Sequence, residues 1–284
     1  PEQDLRELRV VTRYRTKLTG TLAGEKNRLH KVLDDAGVHL GNVVTDVNGT
    51  SAHKMIQGLI LGQPIHEMMK GIHGSFNKKM PELKEVLSGT LSQRHRFVLE
   101  QIHSHILHLE NELQSLDDYI LKAMEPYRTH WQILQTVPGI DAIGAAMIIV
   151  EIGVDMQRFG NREALCSWAG LSPGNNESAG KKKSSKTRKG NHQLRVLLCQ
   201  SANAAVKTRS QFKGKYQGLL IRKGHKKAVI AIGHKILRVI HSVLSNGKPY
   251  EDPKIDYEAL VTAKNAPRWI KALNKFGYLS PAVV

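Results

Sequence analysis

The sequence has few cysteines, few aromatic residues and no long apolar run. Its two cysteines, Cys166 and Cys199, lie in apolar stretches without a CxxC partner, which argues against a disulfide scaffold and a zinc ribbon. No stretch approaches the roughly 20 consecutive apolar residues that a membrane-spanning helix needs. Aromatic residues make up only 5% of the 284 residues, but hydrophobic residues reach 40%, so intrinsic disorder is also disfavoured. The composition predicts a folded cytoplasmic protein with no membrane partner.

Acidic residues are absent from one long segment. Between Ser178 and Tyr250 there is no Asp or Glu, whereas 18 of the 42 Lys and Arg residues lie there. The rest of the chain is nearly neutral, so this segment holds the whole excess of the +17 formal charge. Phosphate neutralisation by Lys and Arg makes nucleic acid the favoured partner, and a solvated basic face without a partner is the alternative.

Apolar periodicity predicts a mainly α-helical chain. One amphipathic helix is predicted from Asp4 to about Ala36, and another over residues 95–124, where apolar residues alternate spacings of three and four as in a coiled coil. We expect these two helices to pair as an antiparallel hairpin, although a partner from another chain would satisfy the pattern equally well. Between them a small helical insert is predicted at about residues 38–90, with Ser51 capping one of its helices.

Pro126 separates this coiled-coil region, residues 1–128, from a compact helical domain predicted over residues 129–250, which a tail at 251–284 follows. Within the domain, Asn191 is predicted to cap one helix. A second helix is predicted from Lys226 to Ser245, closed by Asn246 and Gly247.

Residues 134–153 contain a glycine turn typical of a helix-hairpin-helix. Gly139 and Gly144 flank the start of a small-residue helix, where backbone N–H groups could face a DNA phosphate without reading sequence. The alternative is a helical packing element that binds no ligand.

The loop at residues 168–191 combines a serine with many cations. Ser178, flanked by small residues, is the candidate nucleophile for attack on a phosphodiester. Glu177 and His192 are the nearest candidate bases, and neither is well placed to accept its proton. A plain phosphate-binding loop is the alternative. The candidate phosphate contacts here and in the next helix are Gly180, Lys181, Lys182, Lys183, Lys186, Arg188, Lys189 and Arg195.

No metal site is predicted. The three histidines His103, His105 and His108 share one helix and are interpreted as solvated helix residues, and no cluster of carboxylates is visible.

These motifs together resemble the C-terminal domain of DEDD-type insertion-sequence transposases, the "IS one-ten" family of bridge-RNA-guided recombinases. The resemblance rests on Val137-Pro-Gly-Ile140 with Gly144, on Trp168-Ala-Gly-Leu-Ser-Pro-Gly174, on Glu177-Ser-Ala-Gly-Lys181 and on Lys189-Gly-Asn191. The first helix, with Glu25-Lys-Asn-Arg-Leu29, is similar to the segment that follows the catalytic domain in that family.

The resemblance implies DNA transposition through a serine that becomes covalently joined to DNA, and by motif that serine is Ser178. It also implies a RuvC-like domain with four carboxylates that bind Mg²⁺, a structured noncoding guide RNA and a homo-oligomer. We expect that RuvC-like domain, and with it the Mg²⁺ ligands, to be missing from this chain, which alone would then be inactive. A non-catalytic nucleic-acid-binding module is the alternative function, and a coiled-coil interaction protein with an incidental basic face is a third.

Overall fold

The computed structural model describes residues 1–278, except 46, 48, 71–73, 90, 173, 175, 179–180, 185–186, 188, 254 and 256. The fold is mainly helical, as predicted. It divides into two compact units, each with its own hydrophobic core: Arg13–Asp118, and Pro1–Thr12 together with Tyr119–Val284. We call these the central unit and the terminal unit.

The central unit is built on parts of two long helices, α1 (Gln3–Asp35) and α6 (Gln93–Ala123). Between them lie α2 (Leu40–Val43), α3 (Thr50–Leu61), α4 (Ile65–Met68), a 3-10 turn (Gly74–Lys79) and α5 (Met80–Leu87). These short helices lie within residues 38–90, the range in which a helical insert is predicted. Ser51 lies inside α3, however, because the cap position is taken by Gly49, whose φ of −77° and ψ of 159° are those of an N-cap.

Ion pairs join α1 to α6 in reverse order along the chain. Arg15 pairs with Asp117 near one end, and the Lys26 ammonium lies 2.7 Å from a Glu110 carboxylate oxygen further along. Within the central unit the two helices therefore run antiparallel. A coiled coil that includes a second chain stays a prediction.

The terminal unit contains a 3-10 turn at Glu125–Tyr127, α7 (Arg128–Gln135), α8 (Ala142–Ile152), a 3-10 turn at Met156–Phe159 and α9 (Arg162–Trp168). Two short strands follow, β1 (Asn176–Ser178) and β2 (Lys181–Ser184), and then α10 (His192–Ala205), α11 (Gln211–Asn246) and α12 (Tyr257–Lys275). The start of α1 and the end of α6 contribute Leu5, Leu8 and Ile120 to the same core. The terminal unit therefore includes residues on both sides of residue 128.

Helix α8 lies at the centre of the terminal core. Every residue from Ala145 to Ile152 is buried, because apolar side chains occupy all faces of the helix rather than one stripe. Its neighbours α7 and α10 pack against it, and α10 packs on α11.

Helix α11 is two helical segments that meet at Gly224. This glycine has a φ of 72° and a ψ of 166°, which no α-helix contains. Residues 24 apart in a straight helix would be about 36 Å apart, yet the Lys235 ammonium donates to the side-chain oxygen of Gln211. The chain therefore reverses at Gly224 and lays the first segment beside the second.

Helix α11 is also long and apolar enough in composition to cross a membrane, but half of its most apolar stretch is buried in the protein. Such a helix is weak evidence for a span, because the core helices of water-soluble proteins meet the same criterion.

Candidate nucleic-acid interface

The serine loop, which we define as residues 171–189, leaves the core through a glycine cap at the end of α9. Gly170 adopts a φ of 72°, and the Leu171 amide donates to the Cys166 carbonyl oxygen at 3.0 Å. Leu171 is buried, so the cap has the hydrophobic contact that accompanies a Schellman motif. The direction in which the chain leaves α9 is fixed by this cap.

Gly190 closes the base of the serine loop. A Cβ atom at this position would lie 2.3 Å from the Gly170 nitrogen and 2.6 Å from the Ala169 carbonyl carbon. Only glycine allows the two ends of the loop to approach this closely, because any side chain would overlap backbone atoms.

Asn191 fixes the other end of the loop to the core. Its side-chain oxygen accepts a hydrogen bond from the Leu194 amide at 3.0 Å, which confirms the predicted N-cap of α10. Its side-chain nitrogen donates to a carboxylate oxygen of Glu151 at 2.7 Å.

Glu151 is a buried carboxylate that the sequence analysis missed. It is 2% exposed and lies in the apolar helix α8. Arg9, on α1, donates to the Glu151 carbonyl oxygen at 2.7 Å and to the Val150 carbonyl oxygen at 3.1 Å, and its Nε lies 3.7 Å from the Glu151 carboxylate. The sequence did contain a signal for this buried carboxylate: a single Glu lies within an otherwise apolar helix, and a buried charge requires partners. The Arg9–Glu151–Asn191 network links three segments of the terminal unit beneath the loop.

Strands β1 and β2 form an antiparallel pair within the serine loop. Ser178 is the last residue of β1 and pairs with Lys181, the first residue of β2. Lys182 pairs with Glu177, and an irregularity follows between Asn176 and Glu177. The candidate nucleophile and the first of the predicted cations are therefore direct backbone partners next to the hairpin connection.

The remaining predicted cations are placed unevenly. Lys183 continues β2, Lys189 is exposed near the base of the loop, and Arg195 is half-buried on the first turn of α10. Gly180, Lys186 and Arg188 lie outside the described residues. Their roles and that of Ser178 stay predictions.

Gly139, in the glycine turn between α7 and α8, is packed against α10. Its φ is 85°, and a Cβ there would lie 2.2 Å from the Ser201 carbonyl oxygen and 2.6 Å from the Ala205 nitrogen. The glycine therefore has a packing role that does not depend on a ligand.

Gly144 donates its backbone N–H to the Asp141 carboxylate at 2.7 Å, so Asp141 is the N-cap of α8. A phosphate at this helix end would meet a carboxylate already bound to one of the free amides. A phosphate contact by Gly139 or Gly144 stays a prediction.

A second group of cations lies on α11, around its reversal at Gly224. They are exposed and belong to the acid-free segment, and no sequence motif assigned them to a site. The group consists of Arg222, Lys223, Lys226 and Lys227. These four residues are close in sequence and provide a group of exposed cations on the terminal unit.

The Mg²⁺ that the resemblance implies would require a cluster of metal-ligating side chains. Across the described part of the chain, no three His, Cys, Asp or Glu side chains lie close enough together to hold a metal ion. These residues do not fit the Mg²⁺ that the resemblance implies, and we assign no magnesium ligand to them.

Comparison with known families singles out the same region. Residues 131–217 match the model of the transposase IS116/IS110/IS902 family. The match begins in α7 and ends in the first segment of α11, and it includes the glycine turn, the serine loop and α10. The region of the chain that carries the transposase-type motifs is therefore the region similar to this family.

A curated relative extends the similarity beyond this domain. The chain is 25% identical over 177 residues to a protein of Sinorhizobium fredii (strain NBRC 101917 / NGR234) named "Putative transposase y4pF/y4sB". The similar part covers 60% of this chain and 42% of the relative, so the chain spans less than half the length of that protein.

Proposed function

We propose that this chain acts in DNA transposition, binding DNA through the terminal unit and joining it covalently through Ser178. The proposal rests on the family match at residues 131–217, which contains Ser178 and its backbone partner Lys181. Three lysines in succession follow the serine, which suits stabilisation of the charge on a transferring phosphoryl group.

The chemistry is a transesterification. The Ser178 hydroxyl loses its proton as its oxygen attacks phosphorus, and the bond from phosphorus to the leaving sugar oxygen breaks. The leaving oxygen takes up a proton, so one proton is released and one is consumed. The phosphodiester energy is kept in the serine–DNA bond, so a hydroxyl group of another strand can reverse the step and complete strand transfer. No external energy source is required.

The other partners follow from the family resemblance and from the charge. The acid-free segment suits a polyanion, and a structured RNA guide would present the same phosphate chemistry as DNA. A homo-oligomer is proposed from the family resemblance. The resemblance further implies a RuvC-like domain whose bound Mg²⁺ would act together with Ser178.

The deciding experiment is a denaturing-gel assay for a protein–DNA adduct. The chain is incubated with labelled element-end DNA, Mg²⁺ and candidate guide RNA, alone and with a folded RuvC-like domain of the same family. Ser178→Ala is compared with Ser184→Ala, which removes a serine of the paired strand in the same loop. The expected result is an adduct that Ser184→Ala forms and Ser178→Ala does not.

An adduct that persists in Ser178→Ala contradicts the assigned nucleophile. The absence of any adduct, when DNA is bound and the added domain is shown to be metal-competent, contradicts covalent chemistry. The chain is then a non-catalytic nucleic-acid-binding module, a function that its exposed α11 cations already favour.

A further inference from the structure

A cavity of about 440 Å³ lies between α9, α11 and the segment that follows α11. We call it the α11 pocket. Five of its lining residues are cations, namely Arg162, Lys215, Lys235, Arg238 and Lys248, whereas Glu251 is the one carboxylate among the described lining residues. Most of this lining comes from residues beyond 217, outside the part of the chain that matches the transposase family.

The reversal of α11 at Gly224 creates this concentration of charge. Lys215 belongs to the first segment of the helix and Lys235 to the second, and a straight helix would hold them about 30 Å apart. In the folded chain they are close enough that Lys235 lowers the pKa of Lys215, in addition to the larger effect of burial. Bringing two cations together in a partly buried pocket costs free energy unless a negative charge joins them.

The internal partners of the cations do not neutralise them. Arg162 and Arg238 both pair with one carboxylate, Glu163, at 3.0 Å. Lys235 donates to two neutral groups, the Gln211 side-chain oxygen and the Tyr257 hydroxyl. Within the described residues Lys215 forms no ion pair, so the pocket retains excess positive charge.

One side-chain donor of Arg238 also lacks an acceptor. The Nε atom of Arg238 is inaccessible to water and has no hydrogen-bond partner among the described residues. Buried N–H groups are nearly always paired in folded proteins, because an unpaired one costs about 1–3 kcal/mol. This atom has no surface open to the cavity, so the excess positive charge of the lining residues is the observation that indicates an anionic ligand.

We propose that the α11 pocket binds a phosphate-bearing ligand of about the size of a nucleotide. The volume lies within the range of pockets that hold whole small ligands, and lysine and arginine are the residues that bind phosphate. Tyr250 lines the cavity and stacks on Phe212 with ring centroids 6.0 Å apart, so an aromatic surface is present beside the cations. The phosphate can come from a free nucleotide or from a nucleic-acid strand.

The test uses the full chain and three probes: inorganic pyrophosphate, a deoxynucleoside monophosphate and a short single-stranded oligonucleotide. Lys215→Gln removes a pocket charge. Lys213→Gln is the matched control, because Lys213 is exposed on the same helix and does not line the pocket. Calorimetry measures the small probes, and fluorescence anisotropy measures the oligonucleotide at two salt concentrations.

We expect Lys215→Gln to weaken pyrophosphate and nucleotide binding about tenfold, as for one lost charge-assisted contact, and Lys213→Gln to leave it unchanged. If Lys215→Gln weakens oligonucleotide binding to the same degree, the phosphate comes from a nucleic-acid strand. If it leaves oligonucleotide binding unchanged, the phosphate comes from a free ligand. Without ligand, Lys215→Gln should melt no lower than the unchanged chain, since it removes charge repulsion.

Two results overturn the proposal. One is no measurable binding of either small probe together with an oligonucleotide affinity that Lys215→Gln does not change. The other is equal weakening by Lys213→Gln, which would mean a diffuse surface effect. Ser178→Ala is expected to bind pyrophosphate like the unchanged chain, so failure of this proposal and failure of the serine chemistry are separate observations.

Discussion

The two units use charged residues in opposite ways. In the central unit cations of α1 face acids of α6, as in the Lys26–Glu110 pair, and the charges fix which helix pairs with which. In the terminal unit the longest run of cations has no acids in its own sequence, and several of these cations are exposed. Charges that are balanced within a unit specify its fold, whereas unbalanced charges are available to a partner.

The largest predicted effect on either unit is the loss of close packing in the terminal unit. Gly139→Ala places a Cβ 2.2 Å from a backbone oxygen of α10 at a positive φ, so we expect a loss of about 4 kcal/mol in the free energy of unfolding of the terminal unit. The matched control is Gly160→Ala, because Gly160 has a φ of 73° but no atom within 4 Å of the added Cβ. The control should cost about 2 kcal/mol, from the backbone strain of alanine at a φ of 73° and a ψ of −53°. Urea denaturation measures both, and equal losses would contradict a packing role for Gly139.

The buried network of the terminal unit should outweigh any ion pair of the central unit. Glu151→Gln keeps the size of the side chain but removes the charge that faces Arg9, and we expect it to cost about 3 kcal/mol. Glu110→Gln breaks a partly exposed pair with Lys26 and should cost less than about 1 kcal/mol. Urea denaturation of the two variants compares these losses, and the reverse order would show that the central pairs carry more stability than their exposure implies.

Nucleic-acid binding should depend on the unbalanced charges alone. Each of Arg222→Gln and Lys226→Gln should reduce the slope of log affinity against log salt by about one for duplex DNA. Lys31→Gln removes an exposed charge from the central unit and should leave the slope unchanged. Anisotropy titrations at several salt concentrations measure all three, and a comparable change in Lys31→Gln would place the interface on both units.

The smallest expected effect is a pH dependence of the central unit. Burial, and then the neighbouring His53, lower the pKa of His103 below its usual value of about 6.5. As the pH falls, His103 therefore binds a proton in the unfolded chain before it does so in the folded chain. The stability that neutral His103 contributes is complete above pH 6.5 and is lost as the pH falls below 6.5. Melting temperatures between pH 7.5 and 5.5 should fall less in His103→Gln than in the unchanged chain. An identical fall in both would contradict the assignment.

The sequence predicted those elements whose local signals agree with their packing. Helices α1 and α6 followed from apolar periodicity, and the ends of α10 and α11 followed from Asn191 and Gly247, which carry the expected cap and the left-handed φ. Where a local rule had two candidates the prediction was less accurate: Gly49, not Ser51, caps α3. The backbone φ and ψ angles, which the sequence does not give, decide which of two candidates caps a helix.

Long-range features of the terminal unit could not be predicted. The first segment of α11 and its reversal depend on contacts between Gln211 and Lys235, which are distant in sequence. The α11 pocket exists only because of that reversal. The hydrogen bond that fixes the serine loop to Glu151 also could not be predicted, because the sequence does not show which segments meet. The family motifs did locate Ser178 and the serine loop itself.

The close approach of Gly190 to Gly170 brings the two ends of the serine loop together, so the loop can be exchanged as one segment. Both ends of the loop are fixed within the helical scaffold, one by the cap of α9 and the other by Asn191. Since loop-closure entropy grows only slowly with length, insertions or exchanges between these two anchors should leave the surrounding helices folded. The residues between the two anchors can therefore change without redesign of the core.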